Sequence, residues 1–176
     1  MTRPPNFDGL SLDPGKWKMG LCGSSGGVVT LARTVWVPGH RWDRRKAVEA
    51  VLATAERLPG YGRDVRWTLE KPQVYPGAGV AVKKDTQELR DLVDALVAEL
   101  RPLGHRVVTY EPRKWKGQIP KPAHHRRVLE ALSPAERDLV HGACDLEPAA
   151  RLDIMDAVGL ELFALKRVGR GGRRKP

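Results

Sequence analysis

Four carboxylates stand where a carboxylate is locally out of place. Asp13 closes the apolar run Leu10-Ser11-Leu12 just before Pro14-Gly15, and Glu70 closes Val65-Arg66-Trp67-Thr68-Leu69. Acids at the ends of neighbouring strands can point into one crevice, where open α/β sheets bind their ligands. Asp153 and Asp156 are three residues apart in a helix-forming stretch, so they share one helix face. Ala157, Leu160 and Ala164 give that helix an apolar side to lay on the sheet. Each acid alone also has a plainer account. An aspartate before Pro-Gly serves a turn, and an aspartate in a first helical turn complements the helix dipole. Together the four make a hard-oxygen donor set that suits Mg²⁺ or Mn²⁺ rather than zinc. Two such ions, roughly 3.5–4 Å apart, activate a water and stabilise the leaving oxygen of a phosphodiester. Clustered carboxylates repel one another unless a cation neutralises them, so their concentration in a basic protein points to a metal.

Positioning these acids requires strands and helices in a definite order. Residues 7–12 read as a strand that ends at Asp13-Pro14-Gly15, and residues 17–22 as a second strand. The Gly23-to-Gly27 stretch reads as a hairpin connection; it lacks the Lys-Ser/Thr of a phosphate-binding loop. Residues 28–37, β-branched and aromatic, form a third strand that Pro38-Gly39 stops. Residues 41–58 place Ala47, Val48, Val51, Leu52, Ala55 and Leu58 on one helical face. Residues 65–69 form a short strand leading into Glu70. A second helix starts at Asp85 or Thr86 and runs to Leu100, with Leu89, Leu92, Val93, Leu96 and Val97 in its stripe. Residues 106–110 make a fifth strand. Pro112, Pro120 and Pro122 then argue against a long regular element, which leaves a basic loop. Ser133-Pro134-Ala135-Glu136 is a capping-box helix start, and residues 151–167 are the last helix. The order predicts an α/β domain with a mixed sheet, a hairpin meander extended by two helical crossovers. Residues 1–168 are expected to form one domain and residues 169–176 a basic, flexible tail. Trp17, Trp36 and Trp67 fall in strands and are expected in the core, as are Cys22 and Cys144.

The positive charge sits in two blocks. Arg113, Lys114, Lys116, Lys121, Arg126 and Arg127 form one, and Lys166, Arg167, Arg170, Arg173, Arg174 and Lys175 the other, with no acid inside either. Without those twelve charges the net charge of +10 falls to −2. Localised basic blocks are the footprint of a phosphate-backbone binder, although a solvated face and a loose tail would look the same. Trp115 between two lysines could stack on a base or anchor the loop to the core. His124 and His125 read as phosphate contacts or solvated residues. No run of eighteen apolar residues and no N-terminal apolar leader occurs, and the two cysteines form no CxxC pair. A cytoplasmic protein without a membrane span, disulfide framework or structural zinc is expected.

The order of these features resembles a known family. A strand ending in Asp-Pro-Gly, a Glu after the strand that follows the first helix, and a D-x-x-D helix look like RuvC-type Holliday junction resolvases of the ribonuclease H-like superfamily. The spacings are similar too: 57 residues from Asp13 to Glu70, 83 more to Asp153 and three to Asp156. Asp156-Ala157-Val158-Gly159-Leu160, the run from Arg167 to Gly172, and Trp115-Lys116-Gly117 with Pro120-Lys121 resemble small phage-type relatives. The resemblance implies a ribonuclease H-like, five-stranded mixed sheet flanked by helices and a homodimer that nicks four-way junctions. It also implies two Mg²⁺ or Mn²⁺ ions held by Asp13, Glu70, Asp153 and Asp156. It further implies a basic residue near the scissile phosphate, for which Lys114, Lys116 and Lys121 are candidates. Tyr75 would be the wedge that an aromatic after the catalytic Glu supplies in relatives. Cleavage of RNA–DNA hybrids within the same fold, or basic nucleic-acid binding without chemistry, are the competing expectations.

Overall fold

In a computed structural model of the chain, residues 6–74 and 77–169 are described. Five strands form one mixed sheet: β1 Gly9–Asp13, β2 Lys18–Ser25, β3 Val28–Trp36, β4 Arg66–Glu70 and β5 Arg106–Tyr110. Their spatial order is β3-β2-β1-β4-β5, with β1–β2 and β2–β3 antiparallel and β1–β4 and β4–β5 parallel. The helices are α1 Arg44–Glu56, α2 Val80–Leu100, α3 Pro112–Trp115, α4 Lys121–Ala131, α5 Pro134–Leu146 and α6 Arg151–Ala164, with a 3₁₀ turn at Pro148–Ala150 before the last. This is the predicted meander with two crossovers.

The period-two alternation of a strand decides what each face of the sheet does. Leu10 and Leu12 of β1, Trp67 and Leu69 of β4, and Met19 and Leu21 of β2 pack under α1 and α2 with Val51, Leu92 and Leu96. The intervening residues, Ser11, Asp13, Thr68 and Glu70, face the other layer, where α6 lies across β1 and β2, α5 packs on β3 beside it and α4 packs on α6. Helix α6 can lie this close because Gly20 of β2 has no side chain; a Cβ there would run into the Asp153 carbonyl. Ser133 caps α5 with both halves of its capping box formed, as its sequence pattern predicts. Both cysteines are buried. Among the described residues no helix is long and apolar enough to cross a membrane.

Four expectations need correction. Helix α2 begins at Val80, not at Asp85 or Thr86; its first turns stand out from the core with Val80 and Val82 exposed, so no apolar stripe marks them. The proline-rich basic stretch is not a loop but contains α3 and α4. Pro112, Pro120 and Pro122 sit at helix starts, where a missing N–H costs nothing. The last helix ends at Ala164 rather than Arg167. Of the three strand tryptophans only Trp67 is core. Trp17 and Trp36 are 42% and 55% exposed, since they sit at strand ends beyond the cover of the helices.

Candidate active site

Strands β1 and β4 are parallel neighbours in register, Leu12 beside Leu69. Asp13 and Glu70, the next residue on each, therefore leave the sheet together at its carboxyl edge and on the α6 face. Asp153 and Asp156 enter from the first two turns of α6, anchored by Ile154, Ala157, Val158 and Leu160 in the core. The four acids that the sequence singles out thus come together in space. Electrostatics records the convergence. The Asp13 carboxyl is held well above the ordinary carboxylate range, first by burial and then by the charges of Glu70 and Asp156, with Asp153 adding and Lys116 opposing.

A cationic and hydrogen-bonding layer from α3, α4 and the turn between them covers the cluster. The Lys116 ammonium lies 3.1 Å from Glu70 Oε2 and 3.3 Å from Asp156 Oδ2, and so bridges a strand acid and a helix acid. Lys121 Nζ is 3.2 Å from the same Asp156 oxygen, and His125 Nε2 is 3.1 Å from Asp156 Oδ1. Lys18, from β2, pairs with Asp153 at 3.3 Å. The consequences differ from acid to acid. Burial works to raise Asp156, but the His125 hydrogen bond and the Lys116 and Lys121 charges outweigh it and hold that carboxyl far below its usual range. Glu70 stays raised, because its burial exceeds what Lys116 and the Trp115 indole return. Burial would lower Lys116, yet the surrounding carboxylates, Glu70 first, keep its ammonium charged well beyond ordinary lysine.

Several residues take roles that the sequence left open or did not disclose. Trp115 is 1% exposed and donates its indole N–H to Glu70 Oε2 at 2.8 Å, which makes it an anchor and removes its ring from base stacking. His124 is buried against it, the ring centroids 5.1 Å apart, and is neither a phosphate contact nor solvated. His125 reaches Asp156 instead of solvent. Glu161, fully buried on α6, accepts from Ser11, Ser24 and Arg66. Its one signal in the sequence is a lone acid inside the apolar run Leu160-Glu161-Leu162. Arg113, Lys114, Lys121 and Arg126 lie exposed around this layer, with Arg127 half-buried beside them. Tyr75, and Arg170 to Lys175 of the tail, lie outside the described residues.

The donor chemistry of the cluster is that of a hard divalent cation: carboxylate oxygens from two strands and one helix, with one imidazole beside them. Among the described residues, no three His, Cys, Asp or Glu side chains are already disposed as a metal site. Lysine ammoniums take up the Asp156 and Glu70 oxygens instead. The Asp13 carboxyl stays raised, by burial first and then by the charges of Glu70 and Asp156, with Lys116 only partly opposing them. The residues fit a divalent ion in kind, and Lys116 would have to move for one to be held.

The fold as a whole has counterparts among solved structures. The yeast mitochondrial Holliday junction resolvase Ydc2 matches with a TM-score of 0.61 at 11% identity, over 93% of this chain and 80% of that one. Thermus thermophilus RuvC in complex with a Holliday junction substrate matches with a TM-score of 0.53 at 16% identity, over 89% of this chain and 92% of that one. The fold is ribonuclease H-like. At these identities the likeness is one of fold. No family model and no curated protein sequence matches the chain. Within a ribonuclease H-like frame, the carboxyl edge of β1 and β4 and the start of α6 are the places where Asp13, Glu70, Asp153 and Asp156 stand.

Proposed function

We propose that this chain is a metal-dependent endonuclease that resolves branched DNA, four-way junctions in particular, and works as a homodimer. The observation that carries this reading is the meeting of Asp13, Glu70, Asp153 and Asp156 under a lysine-rich layer, in a fold shared with two Holliday junction resolvases. Asp13, Glu70, Asp153 and Asp156 would hold Mg²⁺ or Mn²⁺, two ions per site. Such ions supply Lewis acidity toward phosphodiester oxygens and a more acidic water.

The rest falls to the chain's own residues. Asp13 and Glu70 stand at the ends of buried strands, which fix the points from which their carboxylates reach the cluster. Lys116 and Lys121 stand beside the acids with charges that a bound phosphate could take over. Arg113, Lys114, Arg126 and Arg127 hold the DNA arms through backbone contacts that carry little sequence information and weaken as salt rises. Selectivity for a junction would then come from shape and from the spacing of two sites in a dimer. A second reading, nucleic-acid binding without chemistry, draws support from the lysines already neutralising Asp156 and Glu70.

Cleavage of a labelled four-way junction in Mg²⁺ and in EDTA, beside linear duplex and RNA–DNA hybrid, separates these readings. Paired nicks in the junction alone are expected. They should vanish in EDTA and fall on the order of 10³-fold in Asp13→Asn, about 4 kcal/mol of barrier. Junction binding with no metal-dependent cutting would leave only the binding protein, and preferential cutting of the hybrid would replace the substrate.

A further inference from the structure

Glu70 is the acid of the cluster whose side chain has the most freedom, with three rotatable bonds between a strand end and its carboxylate. Two donors meet it, the Trp115 indole N–H at 2.8 Å and the Lys116 ammonium at 3.1 Å. Both fall on the same oxygen, Oε2, so neither engages Oε1. The lysine contact is also shared with Asp156 and comes from a long, flexible side chain. The indole contact comes from a buried ring packed against α6 and His124.

The ring is closely packed on several sides. Trp115 ends the single-turn helix α3 and packs on α6 at Gly159. A Cβ on Gly159 would lie 3.0 Å from Trp115 Cζ3, 2.9 Å from His124 Nε2 and 3.0 Å from Val128 Cγ2, so only glycine admits all three neighbours. His124 closes the remaining side edge-on, at 72° between ring planes. Its two ring nitrogens find no hydrogen-bond partner, and burial holds it neutral, its pKa pushed down to about 4. A histidine used as filler is a costly choice, and here it completes the wall behind the indole. Lys116, next in the chain, lies 4.9 Å over the face of the same ring.

We propose that Trp115 is the positioning residue for Glu70: its indole N–H pins Oε2 so that Oε1 is presented to a divalent cation shared with Asp13 and Asp156. This rests on the metal-dependent reading of the site. It also assigns a reason to the single-turn helix α3 and to a glycine at position 159 inside α6. Hydrogen-bonding partners of metal-binding carboxylates typically cost 10–100-fold in affinity or activity when lost.

Trp115→Phe tests it, because phenylalanine keeps a ring against Gly159 and His124 and removes only the N–H. In wild type, the Trp115 indole ¹⁵N–¹H resonance, identified by its loss in Trp115→Phe, should shift in Glu70→Gln and again on titration with Ca²⁺. By calorimetry without DNA, Trp115→Phe should bind Ca²⁺ about tenfold more weakly than wild type. The Mg²⁺ concentration for half-maximal cleavage should rise in step, with KM for DNA unchanged. Gly159→Ala, which forces the ring aside from the opposite direction, should weaken Ca²⁺ binding in the same sense and covers the case in which Trp115→Phe misfolds. An indole resonance indifferent to Glu70→Gln, or wild-type Ca²⁺ affinity in folded Trp115→Phe, overturns the proposal and leaves the nuclease reading intact. A wild-type protein that binds neither Ca²⁺ nor Mg²⁺ overturns both.

Discussion

The two ends of α6 each bring acid to the same face of the sheet, and they treat it in opposite ways. Glu161 is fully buried, and its donors are Ser11 of β1, Ser24 of β2 and Arg66 of β4, three strands of the rigid sheet. Asp156, five residues earlier and about 7.5 Å along the helix, takes its donors from Lys116, Lys121 and His125, all on the α3–α4 layer. One carboxylate is enclosed by two serines and an arginine, all carried on strands of the sheet. The other is met by long cations on an outlying layer, one of them shared with Glu70, while Asp13 beside it is left with repulsion. The difference separates a buried acid whose partners belong to the sheet from one whose partners belong to an outlying layer. Burial is common to both, so the quality and permanence of the partners decide.

The largest effect should come from breaking the well-made end. Glu161→Ala leaves Arg66 and two serine hydroxyls facing a void. Loss of one partner of a buried pair costs about 3–5 kcal/mol, and Arg66 keeps enough solvent contact to favour the lower figure. Thermal and urea melts read this directly. The expected result is a large fall in stability with unchanged cleavage by the protein that remains folded. Asp13→Asn should do the reverse, raising Tm while cleavage is lost, because an amide escapes both the burial penalty and the repulsion of Glu70 and Asp156. Should Glu161→Ala melt like wild type, the two ends do not differ in kind and the comparison fails.

A pH titration sharpens the contrast. Burial alone would raise Glu136, but Arg167, the Val29 and Ser133 N–H groups and the capping hydroxyl together bring it down to about 2. A carboxyl lowered on folding stabilises the protein above its unfolded pKa, roughly 4.3, and that contribution fades as pH falls toward the folded value. The pair should therefore supply up to roughly 3 kcal/mol at neutral pH, lost between about pH 4.5 and 2. Glu136→Gln should flatten the acid limb of the stability profile over that window. Asp13 has the opposite sign: its raised carboxyl withdraws stability as pH climbs through its folded value. A profile that steepens in Glu136→Gln would contradict the stabilising pairing of Glu136 with Arg167.

How much of this could be read beforehand depended on whether the signal was local. Strand ends with a misplaced acid, the D-x-x-D spacing and the capping box at Ser133 are properties of a few adjacent residues, and the structure assembles them as expected. The α3–α4 layer has no such signal, because Pro112, Pro120 and Pro122 read as breakers in the sequence although they occupy helix starts. The start of α2 was missed because Gly79 offers no side-chain cap and Val80 and Val82 face outward. The exposure of Trp17 and Trp36 depends on where the covering helices end, and the burial of His124 on the absence of a side chain at Gly159. Neither is written within the segment concerned. Glu161 did carry a local signal, an acid amid apolar residues, but its partners lie on three distant strands.

The smallest expected effect probes the comparison most closely, at Lys116. If this ammonium stands in for a metal ion, it competes with one, and removing it should strengthen metal binding. Two unit charges about 4 Å apart interact by roughly 4 kcal/mol near a protein surface. Most of that is returned because the freed carboxylates regain water, so a gain of about tenfold in Ca²⁺ affinity is expected for Lys116→Gln, or 1.4 kcal/mol. Cleavage should nevertheless fall, since the same lysine would meet the scissile phosphate once displaced. Opposite signs in binding and turnover are the signature of a placeholder cation. Glu161 admits no such result, because Arg66 and the serines have no competitor to yield to. Were Lys116→Gln to weaken Ca²⁺ binding as well as cleavage, Lys116 would be a permanent partner of Glu70 and Asp156. The two ends of α6 would then differ only in exposure.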